Sequence, residues 1–141
     1  MIALDSNIYA SIIVRDEFYD KCLELVRTHV TTGIATVDLA FVEAANALWK
    51  SVSVLKRIPP DEAEPRVEAL KRLLRKTSTI HTSEELLDEA VRVATQHDIT
   101  VYDALYIALA RKLDVRLAST DENLYQKLRD TTLKDTVLLI K

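Results

Sequence analysis

The sequence has little cysteine, glycine or proline, and it has no long apolar run. Its single cysteine, Cys22, excludes an internal disulfide and suits a reducing compartment. No apolar stretch approaches the roughly 20 residues that a membrane-spanning helix needs. Asp5 follows Leu4 at once, which interrupts the apolar run that a signal peptide would require. We therefore expect a cytoplasmic protein without membrane association.

Several catalytic signatures are also missing. The sequence contains no P-loop, no Rossmann glycine fingerprint, no nucleophile elbow and no paired cysteine and histidine. His29, His81 and His97 have no second histidine or cysteine at ligand spacing, which argues against a zinc site. The candidates for chemistry are therefore mainly carboxylates.

What is present is the composition of an ordinary soluble protein. Of 141 residues, 48% are hydrophobic and 29% are charged. This length predicts a single domain over residues 1–141 that buries roughly 68–70% of the surface of its unfolded chain. The net charge of −3 offers no general affinity for nucleic acid, but residues 50–76 contain eight Lys or Arg against four Asp or Glu.

Short apolar segments alternate with amphipathic ones along the whole chain. Strands separated by helices predict an α/β fold, a three-layer sandwich in which helices flank a central parallel β-sheet. Predicted strands cover residues 2–4, 33–37, 78–81, 115–119 and 136–140. Predicted helices cover residues 6–14, 17–30, 38–55, 61–76, 83–97, 102–113 and 122–130.

Three of these helices begin with capping signals. Asp38 is a candidate N-cap for the helix after the second strand. Thr82 and Glu85 fit a capping box, and Thr100 and Asp103 fit the same pattern. If capping were its only role, Asp103 would do nothing but stabilise its own helix.

The positions of three other acids favour a second role for Asp103. Asp5 and Asp121 follow the first and fourth predicted strands, where parallel α/β sheets build their ligand clefts. Glu43 lies within an apolar helix face that begins at the same edge, and its nearest basic neighbour is Lys50. Four such carboxylates repel one another unless a cation joins them. Mg²⁺ or Mn²⁺ is the natural candidate because both prefer oxygen ligands.

Four segments together resemble the PIN domain family, and at this length the VapC-type toxin ribonucleases. They are LDSN (4–7), VEAANAL (42–48), YDALYIALA (102–110) and LASTDENL (117–124). The resemblance extends from Asp5 to the last strand. It implies a metal-dependent ribonuclease that binds Mg²⁺ or Mn²⁺ through an acidic cluster, which would be Asp5, Glu43, Asp103 and Asp121.

The four acids need not act alike in phosphodiester hydrolysis. A bound divalent ion can lower the pKa of an attacking water and stabilise charge on the phosphorus and the leaving oxygen. We expect Asp5 and Asp103 to contact the metal directly. We expect Glu43 and Asp121 to act through water or to orient the attacking water.

The resemblance implies supporting residues as well. Asn7, Asn46 and Thr120 match polar positions that accompany the acids in the family. Lys50 lies two turns beyond Glu43 on the same predicted helix and is a candidate contact for an RNA phosphate.

The resemblance also implies partners. A small cognate antitoxin protein would block the cleft with a basic side chain, and the chain would form a homodimer or higher homo-oligomer. We expect the antitoxin to cover apolar surface on the first helices, at Ile8, Ile12, Ile13 and Phe18, although core burial is the favoured interpretation of any one of them taken singly.

Two other interpretations remain open. The first is an inactive PIN-like module that binds RNA or protein. The second, less favoured, is a receiver-like Mg²⁺-binding signalling domain, which would want two adjacent acids after the first strand where this sequence has only Asp5. Mg²⁺-dependent cleavage of RNA by the pure protein separates the three.

Overall fold

The computed structural model describes all 141 residues and contains one parallel sheet. Its strands are β1 (Ile2–Leu4), β2 (Ile34–Val37), β3 (Thr79–His81), β4 (Leu117–Ser119) and β5 (Val137–Leu139). They lie in the order β3-β2-β1-β4-β5, and every neighbouring pair is parallel. All five predicted strands and the predicted α/β class are confirmed.

Seven α-helices connect and cover these strands. The first four contact one another, and the fifth packs on the sixth. The chain moves outward from β1 to β3 and then returns to β4, so right-handed crossovers place these two groups on opposite faces of the sheet. No helix has both the length and the apolar character needed to cross a lipid bilayer. The helices are α1 (Ser6–Val14), α2 (Tyr19–His29), α3 (Leu39–Trp49), α4 (Ala63–Thr77), α5 (Ser83–His97), α6 (Val101–Leu113) and α7 (Glu122–Leu128).

The core lies between the sheet and the two helical layers. Every residue of β1, β2 and β4 is buried, as expected for parallel strands with both faces covered. Ile8 and Ile13 of α1 belong to the same buried cluster. Core burial, the interpretation favoured for each of these residues singly, is therefore confirmed for Ile8 and Ile13, which pack α1 and offer no surface to an antitoxin, while Ile12 and Phe18 are only partly buried.

Of two predicted helix caps, one is confirmed and the other is not. Thr82 and Glu85 form the predicted capping box. Asp38 occupies the N-cap position of α3, but its side chain does not cap that helix. Its Oδ1 accepts hydrogen bonds from the backbone N and the Oγ of Ser83 instead. The capping prediction for Asp38 is wrong because α5 begins beside it and supplies better placed donors.

The predicted helix over residues 38–55 changes its winding near its end. The α-helix ends at Trp49, and Lys50–Val54 form a π-helical turn. The Leu55 backbone N donates to the Lys50 carbonyl at 2.9 Å, which closes this wider turn.

The sheet has one point where the connections change direction. From β1 the chain proceeds to β2 on one side, and from β4 it proceeds to β5 on the other. Open α/β sheets bind ligands at the carboxyl ends of the strands beside such a point. Asp5 directly follows β1, and Asp121 lies two residues beyond β4.

Candidate active site

Asp5 is a buried carboxylate surrounded by hydrogen-bond donors. Its Oδ1 accepts the Ser6 backbone N–H at 2.7 Å, which caps α1. Its Oδ2 accepts the Ser119 Oγ–H at 2.8 Å and the Asn7 Nδ2–H at 3.3 Å. Only 5% of the residue is exposed, and no basic side chain pairs with it. The donors hold the carboxylate in place without neutralising it.

The electrostatics of Asp5 show that other acids are close. Burial raises its pKa to about 7, and repulsion from Asp103 and Glu43 adds to this effect, while the hydrogen bond from Ser119 opposes it. The pKa of Asp103 is also raised, chiefly by burial and then by the charges of Asp121 and Glu43. The four predicted acids therefore form one electrostatically coupled cluster.

Asp103 forms only half of the predicted capping box. Its backbone N donates to Thr100 Oγ1 at 3.1 Å, so Thr100 caps α6. The reciprocal contact from the Asp103 carboxylate to the Thr100 backbone is absent, whereas Glu85 of α5 makes this contact. The Thr100 side chain therefore caps α6, and the Asp103 carboxylate does not complete the capping box.

Glu43 is held by a residue that sequence analysis missed. The Tyr106 Oη donates to Glu43 Oε1 at 2.6 Å, which joins α6 to α3. Burial and the adjacent Glu43 carboxylate raise the pKa of Tyr106 well above its usual range, so the phenol stays protonated and acts as the donor. Tyr106 is one helical turn beyond Asp103, and this i, i+3 spacing is the signal that could have identified it.

Ser119 is the second residue that was missed, and it links three elements. It donates to Asp5 Oδ2 and accepts hydrogen bonds from Asn7 Nδ2 and from the Asp121 backbone N, both at 3.0 Å. Asn7 Oδ1 in turn accepts the Thr120 backbone N–H at 3.1 Å. Thr120, which was predicted to support the site, therefore does so through its backbone, and the buried serine before it makes the side-chain contact.

Asp121 has a capping role in addition to its place in the cluster. Its Oδ1 accepts the Leu124 backbone N–H at 3.0 Å, which makes Asp121 the N-cap of α7. The strand end, the Ser119 hydroxyl and this cap together determine where its carboxylate lies.

The chain was compared with families and proteins of known sequence and structure. The family model of the PIN domain matches residues 2–129. The chain belongs to the PIN domain family. Two relatives from Pyrobaculum aerophilum are similar over most of their length. Ribonuclease VapC3 is 33% identical over 89% of this chain and 93% of its own, and Exonuclease VapC9 is 31% identical over 75% of each.

Two crystal structures share the fold of this PIN domain. PAE2754 from Pyrobaculum aerophilum matches with a TM-score of 0.66 and 24% identity, over 96% of this chain and 81% of that one. FitAcB from Neisseria gonorrhoeae matches with a TM-score of 0.63 and 14% identity, over 99% of this chain and 97% of that one. At these identities the likeness concerns the fold alone.

Two predicted members of the PIN site lie at its margin. Asn46 is exposed on α3 and makes no side-chain hydrogen bond. Lys50 is also exposed, at the first position of the π-helical turn, and forms no ion pair with any acid. The structure brings neither side chain into the hydrogen-bonded network around Asp5.

The donors that this PIN domain offers to a divalent cation are carboxylates. No three His, Cys, Asp or Glu side chains converge as ready-made ligands of one ion. The neighbouring acids nevertheless help to raise the pKa of Asp5 and of Asp103, and no carboxylate of the cluster forms an ion pair with a basic side chain. Mg²⁺ takes one or two carboxylates directly and keeps several waters. The arrangement fits such a hydrated hard cation and does not fit a closed protein cage.

Proposed function

We propose that this PIN domain is a divalent-metal-dependent endoribonuclease, with Mg²⁺ or Mn²⁺ as its cofactor, and that it is the toxin of a toxin–antitoxin pair. The observation that carries the proposal is Asp5, a buried carboxylate close to the charges of Asp103 and Glu43 and without an ion pair to any basic side chain. The similarity to Ribonuclease VapC3 at 33% identity supports RNA as the substrate.

Within this mechanism Asp5 and Asp103 would hold the metal directly. When bound, a divalent ion stabilises charge on the reacting phosphate and makes an attacking hydroxide available near neutral pH. Ser119 and Asn7 orient the Asp5 carboxylate through donated hydrogen bonds. The Asp103 carboxylate is available because Thr100 caps its helix.

The other two acids act at longer range. Tyr106 fixes one oxygen of Glu43, so the second oxygen is left to accept a hydrogen bond from an attacking water. Asp121 uses Oδ1 to cap α7, so its other oxygen would be the one to act through water on a bound cation. The lack of three converging protein ligands supports this division between direct and water-mediated roles.

Cleavage of a circular single-stranded RNA by the pure protein tests the proposal. A circle has no ends, so only an endonuclease opens it, and this arm separates the proposal from an exonuclease like the one named among the relatives. Opening is expected with Mg²⁺ or Mn²⁺ and not with a chelator. Asp5→Asn is expected to abolish it, whereas the matched control Asp98→Asn is expected to retain it, because Asp98 is exposed and its left-handed backbone suits asparagine.

An inactive PIN-like module is the second candidate, and one observation favours it. The chain has no preassembled group of three metal ligands. Failure of the wild-type protein to open circular RNA or to bind either metal would make this the better account. A receiver-like domain is disfavoured because sheets of that type follow the order 2-1-3-4-5, which differs from the order observed here.

The toxin role implies an inhibitor. An antitoxin Arg would pair with the clustered carboxylates, because a guanidinium binds carboxylates in a bidentate manner. Expression of the chain alone is expected to slow growth, Asp5→Asn is expected to be harmless, and Asp98→Asn is expected to stay toxic. Full tolerance of the wild-type chain would instead indicate an RNA-processing nuclease. We also propose a homodimer or higher homo-oligomer, which light scattering on the purified protein tests.

A further inference from the structure

A groove of about 600 Å³ opens beside the candidate active site. Its volume falls within the roughly 300–1,000 Å³ typical of clefts that bind ligands. Asn7 and Thr120 line the end nearest the acids, and both belong to the network that orients Asp5. Lys50 and Arg57 line its wall. We call this feature the Lys50–Arg57 groove.

The sequence around this wall is locally basic although the whole chain is acidic. Residues 44–60 contain Lys50, Lys56 and Arg57 and no acidic residue, within a chain of net charge −3. Neither Lys50 nor Arg57 forms an ion pair with a carboxylate. An RNA backbone carries a negative charge at every phosphate, and Lys and Arg side chains neutralise such charges on binding. Two unpaired cations on one wall beside the acidic cluster are therefore suited to bind backbone phosphates.

The π-helical turn brings the two cations to the same groove. Ser51 is buried, its Oγ donates to the Ala47 carbonyl, and its own carbonyl accepts the Arg57 backbone N–H at 2.9 Å. Ile58 is buried directly afterwards and anchors the segment. The chain therefore folds back on itself so that Arg57 returns to the position of Lys50. π-Helical turns occur frequently at functional sites.

The acids that line the other end of the groove do not cancel these cations. Asp16 already accepts hydrogen bonds from Ser11 Oγ and from the Phe18 backbone N. Glu17 is exposed, and Arg15 lies at the same end over the Tyr19 ring. Arg15 offsets one of these two acids, so that end has a net charge of −1 against +2 at Lys50 and Arg57, and the groove lining as a whole is positive.

We propose that the Lys50–Arg57 groove holds the RNA strand on one side of the phosphate being cleaved, and that Lys50 and Arg57 each contact a backbone phosphate. The inference rests on the proposed ribonuclease function and adds to it the route of the strand away from the acids. The contacts are to the backbone and not to bases, so they strengthen the binding of any RNA sequence.

The salt dependence of RNA binding tests the two contacts. A short fluorescent single-stranded RNA is titrated with protein in chelator, so that no cleavage occurs, at several salt concentrations. Each phosphate contact contributes about 0.7 to the slope of log K against log salt for a single strand. The slope is negative, and Lys50→Gln and Arg57→Gln are each expected to make it less steep by about 0.7. This change corresponds to about fivefold weaker binding near 0.1 M salt.

The controls are exposed cations at the opposite edge of the sheet. Lys76 precedes β3 and Arg116 precedes β4, so both lie at the amino ends of the strands. Lys76→Gln and Arg116→Gln are expected to keep the wild-type slope. In steady-state cleavage the two groove variants are expected to raise KM with little change in kcat, because they remove binding that is equal in substrate and transition state.

Two results would overturn the inference, and they differ from each other. If both groove variants keep the wild-type slope and KM while RNA is still cleaved, the strand takes another route and the nuclease function stands. If the wild-type protein neither binds nor cleaves RNA, the groove proposal and the proposed function fail together. A less steep salt dependence in the two groove variants, with no change in the two control variants, supports the proposal.

Discussion

The substitution Asp5→Asn should change how the stability of the metal-free protein depends on pH. The pKa of Asp5 is raised from 3.8 to about 7, mainly by burial. The folded protein therefore holds this proton more tightly than the unfolded chain does. The contribution of Asp5 to the free energy of unfolding is largest below pH 3.8 and declines as the pH rises to about 7. Asparagine carries no charge at any of these values, and the decline should disappear.

The magnitude follows from the size of the shift. One pKa unit corresponds to about 1.4 kcal/mol, so a carboxylate whose pKa rises from 3.8 to about 7 destabilises the ionised fold by about 4 kcal/mol in total. About 3 kcal/mol of this accumulates between about pH 5 and pH 8. The wild-type protein should lose this amount relative to Asp5→Asn between about pH 5 and pH 8.

The net gain in the free energy of unfolding of Asp5→Asn over the wild type should be smaller than the pH-dependent difference between them. The Ser119 hydroxyl and the Asn7 amide both donate to Asp5 Oδ2, and an asparagine amide nitrogen in that position cannot accept either hydrogen bond. Leaving a buried donor without an acceptor costs about 1–3 kcal/mol. We therefore expect Asp5→Asn to be more stable than the wild type at about pH 8, and equal to it or less stable near pH 5.

Urea denaturation in chelator across this pH range measures the difference. Asp98→Asn is the control, since Asp98 is exposed and lies outside the acidic cluster. A stability difference between wild type and Asp5→Asn that is constant from about pH 5 to pH 8 would refute the argument. It would mean that Asp5 titrates like an exposed acid and that the cluster is not under electrostatic strain.

Three further predictions concern the same cluster. Tyr106→Phe removes the donor to Glu43, and a hydrogen bond to a charged group is worth about 1.5–3 kcal/mol. This substitution should lower kcat roughly 10- to 100-fold with the fold retained. Tyr102→Phe is the control, because Tyr102 is exposed. Ser119→Ala should destabilise the protein by about 1–3 kcal/mol, and urea denaturation should show a larger loss as pH rises and Asp5 ionises. Added Mg²⁺ or Mn²⁺ should raise the melting temperature of the wild type and not of Asp5→Asn, and an equal rise in both would remove Asp5 from the metal site.

Local patterns in the sequence were sufficient to predict the fold. Short continuous apolar segments indicate parallel strands buried on both faces, and segments with a 3.6-residue apolar period indicate helices. Both patterns can be recognised without knowing what the segments pack against. Once the strands are parallel, their carboxyl ends meet at one edge. The association of Asp5 with Asp121 at that edge therefore follows from the strand order and needs no side-chain detail.

The hydrogen bonds within the site were decided only by the tertiary structure. Ser119 reaches Asp5 across 114 positions of sequence, and Tyr106 reaches Glu43 across 63. Asp38 was expected to cap its own helix and instead binds Ser83 of another. A donor can bind only an acceptor that lies within about 3 Å. Which acceptors lie that close depends on how the helices and strands pack together.

The same distinction applies to the winding at the end of α3. An apolar period continues through residues 38–55, so the sequence alone predicts one regular helix. The burial of Ser51 and Ile58 against the rest of the fold makes a wider turn more favourable there, and the Ser51 carbonyl accepts Arg57. Hydrophobic periodicity reports which face of a segment is buried, but the backbone hydrogen bonds at its end depend on the neighbours that bury it.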